Sequence, residues 1–299
     1  MKILVVGSIA YDTVRTPSGF RSKILGGSAT YFSVSASFFS SVGIVAVVGS
    51  DFNMSNLRLL KERGVDCSGI GKAGGKTFHW EGEYGADLNV AVTKRTELNV
   101  FKKFDPVLPE RFMKSPVVFL ANIDPDLQWK VLQQTKSPRL VVCDTMNFWI
   151  ENKLSSLRKV IGKVDILLLN EGEAKQLTGQ AHLVKAIRKI STMGPHTVVV
   201  KRGEYGAMMI HKGKLFVVPA FLVERVIDPT GAGDSFAGGF VGYLSTKRNI
   251  TELTLRQAII HGSIMASFDV QNFSLDSFRN LAFRDIKERY RQFKKMTCF

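Results

Sequence analysis

Residues 228–240 read DPTGAGDSFAGGF, and the fold and chemistry of the chain turn on how that run is understood. Gly231 and Gly233 leave the backbone bare, so another group can approach it closely. Asp234 follows at the mouth of a helical pattern in which Phe236, Ala237, Phe240, Val241 and Leu244 recur at helix spacing. Gly238, Gly239 and Gly242 lie inside the same pattern, each costing roughly 1 kcal/mol relative to alanine. A helix so rich in glycine requires either close packing or a ligand at its backbone.

The start of this helix suggests a reaction. The first amides of a helix and the positive end of its dipole form an anion site. A carboxylate in the same place repels an anion unless it has another task, and beside a bound phosphate that task is to accept the proton of an attacking hydroxyl. The pattern therefore points to phosphoryl transfer, with Gly231, Ala232 and Gly233 as an anion hole and Asp234 as the base. Locally, a helix cap at Asp234 after a tight glycine turn accounts for the same letters.

Outward from this run, apolar stretches alternate with helical ones. ILVVG (3–7), IVAVVG (44–49), VVFLAN (117–122), LVVCDT (140–145), DILLLN (165–170) and TVVVK (197–201) are apolar on both faces, as buried parallel strands are. Between them lie helical patterns such as 54–64, ending on Gly64, and 124–135, opening on Asp124 and Pro125. The alternation predicts a doubly wound, mostly parallel α/β sheet flanked by helices. Residues 16–27 are turn-rich and 76–101 carry strand-like pieces with no helical period. We read 13–25 and 76–102 as lid segments inserted into one domain spanning 1–299. A hairpin is expected over 205–220, around Lys212-Gly213.

Composition narrows the classes. The 299 residues are 45% hydrophobic and 22% charged, as in an ordinary globular protein. No apolar run approaches the ~18 residues of a membrane span, and Cys67, Cys143 and Cys298 form neither a disulfide framework nor a zinc spacing, so a cytoplasmic location is expected. The net charge of +15 favours anionic partners. Much of it lies in FRDIKERYRQFKKM near the end, which reads as a solvated helix face, and no zinc-finger, RNA-binding or basic-zipper pattern supports nucleic acid. GKAGGKT (71–77) ends like a phosphate loop but has Ile70 where the first glycine belongs. A dinucleotide fingerprint fails in the same way, at Phe236.

DPTGAGDSFAGGF closely resembles the signature of the ribokinase-like, or PfkB-type, carbohydrate kinases, and the resemblance extends in order over nearly the whole chain. It implies an ATP- and Mg2+-dependent kinase acting on a primary hydroxyl of a sugar or nucleoside. Asn170 and Glu173 in NEGE match the family's Asn-x-x-Glu, which orders magnesium and phosphate largely through water. VVKRGEYGA (199–207) resembles the strand and turn lining the nucleotide site, with Lys201, Gly203 and Gly206; Thr230 joins them from the signature. Asp12 in GSIAYD resembles the aspartate that binds substrate hydroxyls, and Gly26 and Gly27 in LGGSAT the di-glycine against which the sugar lies.

The acceptor end departs from the family pattern. Tyr31 takes the slot of an asparagine expected to contact substrate, and Asn147 in DTMN is displaced by one residue. Trp80, Glu81 and Tyr84 fall in the lid, where they are expected to face the substrate. Tyr31, Phe148 and Trp149 offer rings for a nucleoside base, or for packing between lid and core. A homodimer through an open lid edge is also expected. The alternative function is a non-catalytic basic α/β module binding a metabolite or nucleic acid.

Overall fold

The computed structural model describes residues 2–298. In chain order the strands are β1 (Ile3–Val6), β2 (Ala10–Thr16), β3 (Gly19–Gly26), β4 (Val42–Gly49), β5 (Asp66–Ala73), β6 (Phe78–Tyr84) and β7 (Ala91–Glu97). They continue with β8 (Val117–Leu120), β9 (Leu140–Asp144), β10 (Ile166–Asn170), β11 (Thr197–Lys201), β12 (Ala207–His211) and β13 (Lys214–Val218). Nine of them form one sheet in the order β13-β12-β11-β10-β9-β8-β1-β4-β5, and β3-β2-β6-β7 form a second. The large sheet is parallel from β11 to β5 and antiparallel at the β12–β13 hairpin. This is an α/β fold with a four-stranded lid.

All six apolar runs became core strands. β1, β4 and β8 are buried along their whole length, because helices cover both faces of a parallel sheet. The polar residues come last: β9 ends in Asp144, β10 in Asn170 and β11 in Lys201. Parallel strands put their carboxyl ends on one edge, where open α/β sheets bind ligands. The 205–220 hairpin turns at Lys212 and Gly213, whose φ values of 48° and 82° are those of a two-residue hairpin turn.

Two segments differ from the sequence reading, and the dismissed GKAGGKT run finds another role. Residues 66–73, which carry no clear period, form the edge strand β5. The turn-rich 16–27 stretch belongs to the antiparallel hairpin β2–β3, so the lid sheet begins at Ala10 rather than at 13. The GKAGGKT run is a strand end and loop whose Thr77 donates to Asp51 Oδ1 at 2.7 Å and accepts from the Gly49 amide at 3.0 Å. That threonine staples the end of β4.

The helix Ala232–Ser245 supplies the packing its glycines require. Gly238 and Gly242 meet the helix Ser28–Ser37 at Phe32, Ser35 and Ala36, and Gly239 meets the helix Glu252–Asp269 at His261 and Met265. The terminal basic run forms the helix Phe283–Thr297, with Ile286 and Phe293 buried. Its lysines form the solvent face, whereas Arg289 stacks on Phe268 and donates to Ser267 Oγ at 2.9 Å.

Candidate active site

The turn before the helix Ala232–Ser245 takes its shape from Gly231, which has φ 84°, a conformation only glycine adopts freely. The space a side chain would need there is filled by the ring of Tyr31. Tyr31 is 1% exposed, so it supports the turn from beneath and offers no open ring to a base. The Ala232 amide donates to Pro229 O at 3.2 Å. Among the described residues the amides of Gly231, Gly233 and Asp234 have no backbone acceptor. The free amides thus differ by one residue from the expected trio: Ala232 spends its donor inside the turn, and the Asp234 amide is free.

The Asp234 side chain is half-buried and hydrogen-bonded to no described residue. Burial, then the nearby Asp144, push its carboxyl up to about 7, and Lys201 pulls it down. A carboxyl at that value exchanges a proton near neutrality, as a general base must.

At the β10 end, Asn170 and Glu173 form a reciprocal capping box at the start of the helix Glu171–Thr178. The Glu173 amide donates to Asn170 Oδ1 at 2.8 Å, while Asn170 N and Nδ2 each donate to a Glu173 oxygen at 2.7 Å. Burial raises Glu173 to about 7 against the pull of Lys201. No three or more His, Cys, Asp or Glu side chains cluster as a metal cage among the described residues. A hard oxygen pair of this kind fits magnesium carried mainly by water and phosphate.

Lys201 Nζ donates to Asp144 Oδ2 at 2.7 Å. The strand–turn beyond it includes Gly203 and Gly206, both at positive φ. Its Glu204 amide donates to Asn89 Oδ1 at 3.3 Å, and Asn89 Nδ2 donates to Glu204 Oε1 at 3.1 Å. The tip of the β6–β7 hairpin therefore lies on the expected nucleotide turn. Thr230 donates its amide to Asp228 Oδ1 at 2.9 Å and its hydroxyl to Tyr84 Oη at 3.3 Å.

Asp12, expected at the acceptor end, lies on β2 of the lid sheet. It is 4% exposed, and its carboxylate fills the space a side chain on Gly26 would need. Gly27 turns with φ 96° against the backbone of Ser8 and Ala10. Burial, Asp228 and Asp234 raise Asp12 to about 8, opposed by the Gly27 amide. Asp234 is thus among the charges that act on Asp12.

The lid aromatics divide. Tyr84 reaches the Thr230 turn; Trp80, in register with Asp12, folds over Gly82 and donates to Thr93 Oγ1 at 3.2 Å. Glu81 is in register with Thr13 and so takes the face opposite Asp12, contrary to expectation. Trp149 donates to Asn122 Oδ1 at 2.9 Å, whereas Phe148 is exposed. Asn147 opens the helix Asn147–Asn152 and faces solvent. Two partnerships had no sequence signal beyond a polar residue at a strand end or loop tip: Asp144 with Lys201, and Asn89 with Glu204.

Comparison with protein families matches residues 1–279 to the pfkB family carbohydrate kinase. The chain belongs to the pfkB family. It is a phosphotransferase of this sugar and nucleoside kinase family. The cytidine kinase of Thermococcus kodakarensis is 32% identical over 258 residues, covering 84% of this chain and 91% of its own. The inositol 3-kinase of Arabidopsis thaliana is 26% identical, covering 98% of this chain and 81% of its own. Among solved structures, the nucleoside kinase of Methanocaldococcus jannaschii superposes with a TM-score of 0.78 at 21% identity, covering 98% and 99% of the two chains. A putative ribokinase II of E. coli, in complex with ATP and Mg2+, gives a TM-score of 0.81 at 19% identity over 97% and 99%. No described helix of this pfkB chain is long and apolar enough to cross a membrane.

Proposed function

We propose that this pfkB kinase transfers the γ-phosphoryl group of ATP to a primary hydroxyl of a nucleoside or sugar, with Asp234 as base. The observation that carries the reading is an unpartnered, half-buried carboxyl at Asp234, raised to about 7, beside the free amides of Gly231, Gly233 and Asp234. The amides receive the phosphoryl oxygens and the charge that develops on them. Asp12 holds an acceptor hydroxyl against the bare Gly26–Gly27 backbone. Asp234 takes the proton as the acceptor oxygen bonds to phosphorus, the bridging P–O bond breaks, and ADP leaves with the electron pair. Asn170 and Glu173 would hold magnesium through water, and the ion would supply charge neutralisation to the phosphates. Lys201, Gly203, Gly206 and Thr230 line the nucleotide end. The lid excludes water, so that the phosphoryl group goes to the acceptor rather than to hydrolysis.

The cytidine kinase likeness, spanning most of both chains, favours a nucleoside acceptor over a free sugar. The test is ADP release with ATP and magnesium across cytidine, the other nucleosides, ribose and inositol, each against Asp234→Asn. A nucleoside is expected to give the highest kcat/KM, and Asp234→Asn to lose several orders of magnitude in kcat while keeping nucleotide affinity. Near-normal turnover in that variant overturns the base assignment. The exposed β7 edge of the lid gives a second copy a place to pair, which sedimentation velocity reads directly.

A further inference from the structure

Lys201 ends β11 and Asp144 ends β9, on either side of β10, and their side chains are 17% and 4% exposed. Asp144 is fixed at each polar atom. Its Oδ1 accepts from the Thr145 amide at 2.9 Å, its Oδ2 from Lys201 at 2.7 Å, and its carbonyl from Gln128 Nε2 at 3.0 Å. The ammonium is not similarly saturated. Asp144 is its single hydrogen-bond partner among the described residues, which leaves two of its three donors unused.

Those donors lie beside the anion hole. Nζ stands 3.2 Å from the point where a side chain on Gly233 would begin, so the bare α-carbon is what admits it. A buried ion pair is a poor device for stability, since apolar residues of the same volume generally do as well. Here one partner is fully bonded and the other is left with free donors next to free amides.

We propose, on the kinase reading above, that Lys201 is a catalytic residue whose ammonium meets the transferring phosphoryl group, and that Asp144 is the positioning residue that aims it. As the acceptor oxygen bonds to phosphorus and the bridging oxygen leaves with its electron pair, Lys201 neither gives nor takes a proton. It supplies two N–H donors and a fixed charge on the side of the group facing β11. Although burial works against the charged form, Asp144 and then Glu173 hold the lysine above its ordinary value, so it stays cationic throughout. The same cation offsets the crowding of carboxylates at Asp234 and Glu173.

The test uses Lys201→Met, Asp144→Asn and the double variant, in which no buried charge is stranded. Two quantities are measured: kcat with the best acceptor, and affinity for the non-hydrolysable β,γ-imido analogue of ATP against AMP by calorimetry. Lys201→Met is expected to lose about a hundredfold in kcat and about tenfold in analogue affinity, with AMP unchanged. Asp144→Asn is expected to lower kcat about tenfold alone and by less than about threefold when Lys201 is already methionine, because it acts through the lysine. Analogue affinity and kcat within about threefold of wild type in Lys201→Met overturn the catalytic role, and an undiminished Asp144→Asn loss in the methionine background overturns the positioning role. If wild type transfers phosphate to no acceptor, the kinase reading fails, and the analogue-against-AMP comparison still decides whether Lys201 meets a terminal phosphate. A wild type that binds neither nucleotide overturns both.

Discussion

Tyr84, the last residue of lid strand β6, has its hydroxyl 3.3 Å from Thr230 Oγ1 in the turn before the anion-hole helix. The lid that carries Asp12 is thereby also joined to the turn proposed to hold phosphate. A neutral hydrogen bond of this kind contributes about 0.5–1.5 kcal/mol. Tyr84→Phe is expected to raise the acceptor KM by up to about tenfold and to increase ATP hydrolysis relative to transfer. Measuring ADP release with and without acceptor checks this; an unchanged ratio would show that the contact plays no part in closure.

The pH profile follows from the carboxyl values. The proposed base, Asp234, can act only when ionised, and it stands at about 7. Below that value kcat/KM is expected to fall about tenfold per pH unit. Asp12 lies higher, at about 8, and is uncharged across this limb, so Asp12→Asn should leave its midpoint in place. A profile flat to pH 5 would contradict the raised carboxyl.

Stability should run against the usual alkaline trend. Asp12 at about 8, and Asp234 and Glu173 at about 7, lie above the carboxylate range mainly through burial. The folded chain therefore binds more protons than the unfolded one, and stability falls as pH rises through these values. His261, lowered to about 4 by burial, works in the opposite sense below its unfolded value near 6.5. Between about pH 6.5 and 8 the carboxyls act without that opposition. The melting temperature of the ligand-free protein is expected to drop across this window, less steeply in Asp12→Asn. A rising melting temperature there would exclude the sign.

Two glycines separate packing from propensity. A methyl group on Gly238 would lie 2.5 Å from Phe32 O, so Gly238→Ala is expected to destabilise by about 1–3 kcal/mol despite a better helix former. At Gly162, with φ −67°, the nearest atom would be 3.5 Å away. Gly162→Ala should stabilise by roughly 0.4–1 kcal/mol. Chemical denaturation of both variants reads the contrast.

Local sequence was enough to identify the six core strands, the helix after DPTGAGD and the family. Runs such as DILLLN carry their burial on both faces and their polar residue at the end, and the positive φ of Gly231 is a demand of the turn itself. The glycines at 238, 239 and 242 announced close packing without naming the partner. What lies across the site was decided only by the folded chain. Tyr31 is a ring in the sequence; the tertiary structure makes it the floor beneath Gly231, closed to a ligand. Glu81 and Trp80 must take opposite faces of one strand, but only the register of β6 on β2 puts Trp80 on the Asp12 side. Asp144 and Lys201 are 57 residues apart in the chain, and a bond between two strand ends separated by a third has no local period to reveal it. Local geometry depends on neighbouring residues, whereas the pairing of charges across a sheet edge depends on strand order, which the chain settles only when it closes its core.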